Sequence, residues 1–233
     1  MFIHFEDRAA DSPIVDRIWR SHSERAGSFH SMASCNWVMV VTRLRGQAVM
    51  TVRGPETRAT VADCPAEGEW VGIHFKPGSF MPLMRPAELR DRNDLTLPQG
   101  PGRSFRLDGS LWEYPTFENA EAFVRRLVNR GLIVTDRAVV AALSGQPARR
   151  SQRTEQRHFL RATGVTPATL RQIERARRAT ALLRSGQSIA DVVFDLGYYD
   201  QAHLTRSLRH FVGQTPAQIA RRLEQLSLLY KPD

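Results

Sequence analysis

The chain has 233 residues, enough for two modest domains, and 42% are hydrophobic, enough to bury real cores rather than stay disordered. Its two cysteines, Cys35 and Cys64, are too few for a disulfide framework, and no close pair suggests zinc. The net charge of +9 is uneven: Arg137 to Arg222 holds 15 arginines, no lysine and 5 acids, a local +10, leaving 18 basic and 19 acidic residues (−1) elsewhere.

A neutral front and a basic rear point to a polyanion as partner of the rear, with plain solvation of a charged surface as the alternative. The start, MFIHFEDRAADSP, lacks a basic region followed by an apolar run, and no apolar stretch reaches membrane-spanning length. A reducing, cytoplasmic setting without a membrane partner is therefore expected.

The first hundred residues read mainly as strands. Phe2 to Phe5 is a short candidate, and Ile14 to Arg20 fits either strand or helix. Asn36 to Arg43 and Gln47 to Arg53 flank Leu44-Arg45-Gly46, short enough for a hairpin turn. Arg58 to Val61 and Trp70 to Phe75 follow, before a run punctuated by proline and glycine. This pattern predicts a small antiparallel sandwich or barrel.

The period switches at Phe117. Glu118 to Arg130 reads as a helix, and helices then continue over Asp136 to Leu143, Ser151 to Ala162, Pro167 to Arg184, Ser188 to Leu196, Asp200 to Val212 and from Pro216 onward. The expected division is 1–115 as a β-rich domain, 116–135 as a connecting helix, and 136–233 as a basic helical domain.

The most informative stretch is Ser188 to Ala220. Ser188 is placed to cap a helix, Gly197 to end it in the left-handed conformation, and Asp200 to cap the next. That next helix has an apolar stripe, Leu204, Leu208, Phe211 and Val212, opposite Gln201, His203, Arg206 and Arg209, with Thr205 and Ser207 nearby. Helix, glycine turn, and a second helix with one apolar and one Arg/Gln/His face match a helix-turn-helix. Part of the pattern occurs twice. Ser151 to Pro167 and Asp200 to Pro216 each run from a cap through an Arg/Gln-rich helix to G-x-T-P. The helix between them spans roughly 25 Å at about 1.5 Å per residue, comparable to the separation of successive major-groove faces.

Asp136 to Arg222, more than a third of the chain, resembles the DNA-binding domain of AraC-family transcription regulators. The resemblance rests on S-x-R-T-x-Q-R-x-F at Ser151 to Phe159, the G-V-T-P turn, S-I-A-D-V-x-x-x-L-G-Y-x-D-Q-x-H-L-T-R at Ser188 to Arg206, and G-Q-T-P. It implies an α+β chain: a mostly-β, cupin-like barrel or sandwich, then an all-α domain with two helix-turn-helix units. Positions that approach DNA in the family fall here on Arg153, Gln156 and Arg157, and on Gln201, His203 and Arg206. Ser151, Thr154, Thr205 and Arg209 complete the candidate DNA-binding set. Two departures stand out: Glu155 where the family is usually apolar, and Val193 where a small alanine is usual.

Arginine can grip guanine edges and glutamine adenine edges, although phosphate contact serves either side chain as well. In the linker helix, Arg171, Arg175, Arg177 and Arg178 are expected mostly on the exterior. Tyr198 and Tyr199 read as packing or as phosphate contacts. In the front, His30 and His74 read as structural or surface histidines, the cysteines as small buried hydrophobes, and the four tryptophans as core.

The chain is expected to be a DNA-binding transcription regulator, not an enzyme, with no catalytic residue, metal ligand or cofactor. Its expected partners are double-stranded DNA and a small-molecule effector, with RNA polymerase and a second copy of the chain as further candidates. The rivals are a cupin-type metal enzyme fused to a helical module, and an architectural nucleic-acid binder without sequence preference.

Overall fold

The computed structural model describes residues 2–92, 94–145 and 152–221. The chain starts with β1 (Ile3–Ala9) and β2 (Val15–Ser23), an antiparallel pair with Ile3 opposite Ser23 and Ala9 opposite Arg17. The ambiguity over Ile14 to Arg20 has a physical source. A bulge between Val15 and Arg17 brings Val15 and Ile18 to one face, and Trp19 is buried on the other, so the three take helix-like spacing inside a strand.

The next strands are β3 (Gly27–Ser31), β4 (Val38–Leu44), β5 (Gln47–Arg53), β6 (Thr60–Cys64) and β7 (Glu69–Phe75). β4 and β5 close through Arg45–Gly46, both at positive φ, as a two-residue hairpin turn requires. β3 has no counterpart in the expected elements; it pairs with β6 in a separate ladder. The short elements β8 (Ser79–Phe80), α1 (Pro86–Leu89), β9 (Leu95–Thr96), β10 (Ser104–Leu107) and β11 (Ser110–Glu113) follow. The main sheet runs β1-β2-β7-β4-β5-β9, antiparallel throughout.

β7 is buried along most of its length because the sheet is covered on both sides. Val71, Ile73 and Phe75 join a core with Met39, Val41, Met50 and α2 (Ala120–Asn129). Trp37 stacks on Phe75 with ring centroids 3.8 Å apart, and Phe123 of α2 meets Phe105 and Trp112 edge-on. On the other side, Gly72 lies opposite Trp19, and a Cβ there would come within 2.1 Å of the indole. The glycine thus makes room for the tryptophan.

After α2, β12 (Val134–Thr135) pairs with β8, and six helices follow: α3 (Arg137–Leu143), α4 (Gln152–Thr163), α5 (Pro167–Arg184), α6 (Ile189–Asp195), α7 (Gln201–Phe211) and α8 (Pro216–Arg221). Their shared core holds Phe159, Ile173, Leu183, Val192, Leu204, Leu208 and Phe211. Met32, Ala33 and Cys35 from the loop between β3 and β4 belong to the same cluster, so the helices pack directly on the front domain. No helix among the described residues is long and apolar enough to cross a membrane.

Candidate nucleic-acid interface

Helices α3, α5, α6, α7 and α8 each start where a short polar side chain satisfies exposed amides. Asp136 accepts from the Ala138 and Val139 N–H groups, Thr166 from Thr169, Ser188 from Asp191 and Asp200 from His203, the last at 2.6 Å. Gln218 and Thr215 close a reciprocal cap at α8, its Oε1 accepting from the Thr215 amide at 2.9 Å. α6 and α7 form a helix-turn-helix that turns at Gly197, whose φ is +65°, and α3 packs on α4 in the same succession, with the link between them outside the described residues.

On α4, Arg153, Gln156 and Arg157 are exposed and Thr154 is half-buried, while Phe159 and Ala162 pack inward. Ser151 lies outside the described residues, as does the side chain of Glu155. On α7, Gln201, Arg206 and Arg209 are exposed, and Leu204, Leu208 and Phe211 are buried. The half-buried Thr205 donates its hydroxyl to the Gln201 carbonyl at 2.8 Å. The half-buried His203 accepts the Tyr199 N–H on Nδ1 at 3.3 Å, which assigns the proton of the neutral ring to Nε2 and makes that nitrogen a donor. The two tyrosines part company: Tyr198 is buried beneath the Arg175 guanidinium, 4.4 Å from its ring centroid, whereas Tyr199 is 91% exposed at the entry to α7. Phe194 of α6 is nearly as exposed. Nothing in the apolar spacing separates these two from core aromatics.

Both Arg/Gln-rich helices end against the front domain. At the foot of α7, the His210 carbonyl accepts from the Ala59 N–H and the Phe211 carbonyl from the Ala33 N–H, each at 2.8 Å. At the foot of α4, the Gly164 carbonyl accepts from the Arg90 guanidinium at 3.3 Å. The final carbonyls of a helix have no partner within it, so these contacts satisfy groups that burial would otherwise orphan. The candidate readers nearest the two N-termini, Arg153, Gln156 and Gln201, stand at the opposite ends and are open to solvent.

One linker residue departs from expectation. Arg171 and Arg178 are exposed, but Arg177 turns inward, its side chain only 13% exposed and 3.9 Å from Glu174. The reason is tertiary: one face of α5 packs on the front domain, and Arg177 helps to line a cavity of about 50 Å³ with Trp19, Asn36, Arg53, Glu56 and His74. Burial pushes the Cys35 thiol up to about 12, with Glu174 adding to the rise, and both cysteines are free and buried. Burial likewise drives the His74 imidazole down to about 3, assisted by Arg177, Arg17 and Arg53, so it is neutral at ordinary pH. Of the tryptophans, Trp19, Trp37 and Trp112 are core, while Trp70 is half-buried at a surface groove.

A capped helix-turn-helix and a second helix pair on one basic unit, with the polar faces of α4 and α7 open, make a DNA-binding architecture. Residues 146–222, about a third of the chain, match the family described as Helix-turn-helix domain, the AraC type. The match indicates a DNA-binding transcription regulator. No curated protein and no solved structure matches the chain.

Proposed function

We propose that the chain is a sequence-specific regulator whose helices α4 and α7 enter adjacent major-groove segments of one duplex. In this reading Arg153, Gln156 and Arg157 work from the first helix, with Ser151 and Thr154 at its start. Gln201, His203 and Arg206 work from the second, with Thr205 and Arg209 beside them. The observation that carries it is the polarity of both helices: carbonyl ends anchored on the front domain, Arg- and Gln-bearing amino ends in solvent. Recognition helices commonly contact bases with their N-terminal residues, and arginines on phosphates add salt-dependent affinity.

Front residues 1–115 would act as a cupin-like sensor, 116–135 as its connection, and 136–233 as the reader. A small-molecule effector rests on the family resemblance alone, since the cavity of about 50 Å³ between sheet and α5 has room only for ordered water. Among the described residues, Trp19 Nε1 and His74 Nε2 are buried there without a hydrogen-bond partner, which a polar guest would supply. Such a protein would act in the cytoplasm, where RNA polymerase and a second copy are further candidate partners.

The test is selection of bound sites from random duplexes, repeated with metabolite extract. A defined consensus is the expected outcome; uniform recovery would favour an architectural binder. Arg206→Ala should weaken binding to the selected site by about 1–3 kcal/mol and relax preference at one base pair. Unchanged affinity and preference would remove Arg206 from the reading set.

A further inference from the structure

We propose that His4, His22 and Glu24 form a binding site for a late first-row divalent metal, with zinc the best fit, on the outer face of the sheet's edge hairpin. The inference is independent of DNA binding. His4 and His22 are directly opposed in the β1–β2 register, so their Cβ atoms are brought close by the backbone itself. Their rings lie 4.7 Å apart and are 11° from parallel. Glu24 follows β2 two residues after His22, on the same side of the strand, and its carboxylate oxygen lies 2.9 Å from His4 Nε2. One ligand atom from each of the three residues lies within 4.8 Å of the others.

Ligand atoms around a tetrahedral zinc at about 2.0–2.1 Å stand about 3.3 Å apart; because imidazole lone pairs lie in the ring planes, the stacked rings must tilt towards each other to converge on one ion, which exposed side chains can do. The backbone beneath is already fixed: seven residue pairs join the strands, and the Glu24 N–H donates to the Phe2 carbonyl at 3.1 Å. Two imidazoles and one carboxylate suit zinc, nickel or copper; magnesium and calcium prefer all-oxygen sets.

The neighbouring charges are compatible with a cation. Glu69 lies opposite His22 on β7, adding a second carboxylate to the row. The nearby Arg20 guanidinium is compensated by Glu6 at 2.7 Å and Glu118 at 3.2 Å. All three ligands are exposed, and the groove holding His4 and His22, about 560 Å³, leaves room for water at the remaining coordination positions. A metal here would tie the edge strand β1 to β2, guarding an edge otherwise open to fraying or pairing with another chain.

The test is calorimetric titration of untagged, chelator-treated full-length protein with ZnCl2, followed in parallel by the histidine ring resonances and by thermal melting. Expected results are one zinc per chain, perturbation of the His4 and His22 rings, and a melting temperature that rises with zinc concentration. His4→Gln, His22→Gln and Glu24→Gln are surface changes that leave the metal-free melting temperature in place; each histidine change should weaken zinc at least about tenfold. Absence of saturable uptake, equal affinity in His22→Gln, or equal competition by MgCl2 would overturn the site.

Discussion

The two helix-turn-helix units end in the same G-x-T-P turn, and both turns land on the front domain, but on different ground. Gly213 sits beside the His30 ring and Ala59, where main-chain hydrogen bonds from Ala33 and Ala59 receive the end of α7. Gly164 sits against Pro55 and the Pro86 carbonyl, and its own carbonyl is met by the Arg90 side chain. The second unit is thus held by loop backbone flanking β3 and β6, and the first by prolines and one arginine. Similar local sequences acquire different attachments, because an anchor depends on what the receiving surface presents.

The largest test asks whether the units share one core. Phe159 of α4 and Leu204 of α7 lie in the same buried cluster. Phe159→Ala should cost about 3–5 kcal/mol and Leu204→Ala about 2–5 kcal/mol in chemical denaturation, each lowering a single common transition. Two separate transitions would show that the units fold apart and break the comparison.

The turns themselves come next. Both glycines have left-handed backbone, φ +75° at Gly164 and +84° at Gly213. An added Cβ would stand 2.7 Å from Pro55 Cγ and 2.8 Å from the Pro86 carbonyl at the first, and 2.6 Å from His30 Nδ1 at the second. Each alanine substitution should cost on the order of 1–3 kcal/mol in thermal melting. Gly164→Ala is expected to cost more, because backbone cannot move aside as a side chain can. Adding His30→Ala should recover part of the Gly213→Ala loss and none of the Gly164→Ala loss. Equal recovery would show that the docking surfaces are not distinct.

The smallest expected effect concerns the shared interface. His74 is held neutral down to about pH 3 in the fold, whereas in the unfolded chain it takes a proton near pH 6.5. Its contribution to stability is therefore fully present above pH 6.5 and is lost as pH falls toward 3, by at most about 1.4 kcal/mol per pH unit. Melting of the wild type and of His74→Gln at pH 7.5 and 5.0 should show the shallower decline in the variant. Parallel declines would mean that the acid sensitivity arises elsewhere.

Most of the rear half was legible in advance because its signals are local. A Ser, Thr or Asp cap, a period of 3.6 and a terminal glycine act within a few residues of one another, so α5 spans Pro167–Arg184 just as its pattern predicts. In the front, β5 follows equally from alternation and a hairpin turn. β3 did not, because G-S-F-H-S has no distinctive pattern and becomes a strand only by pairing with β6, far along the chain. β2 was obscured by its bulge, and the metal-ligand trio by its separation, since His4 and His22 meet only through cross-strand register.

The amino-acid sequence by itself therefore determined where the rear helices begin and end, which of their faces are apolar, and that positive charge gathers there. Tertiary structure alone decided that Arg177 turns inward, that His74 and Cys35 lie beneath α5, and that α4 and α7 finish on the front domain. The division is physical. Caps and periodicity are energies between near neighbours in the chain, whereas burial of a charge or of a helix terminus depends on surfaces that only folding brings together.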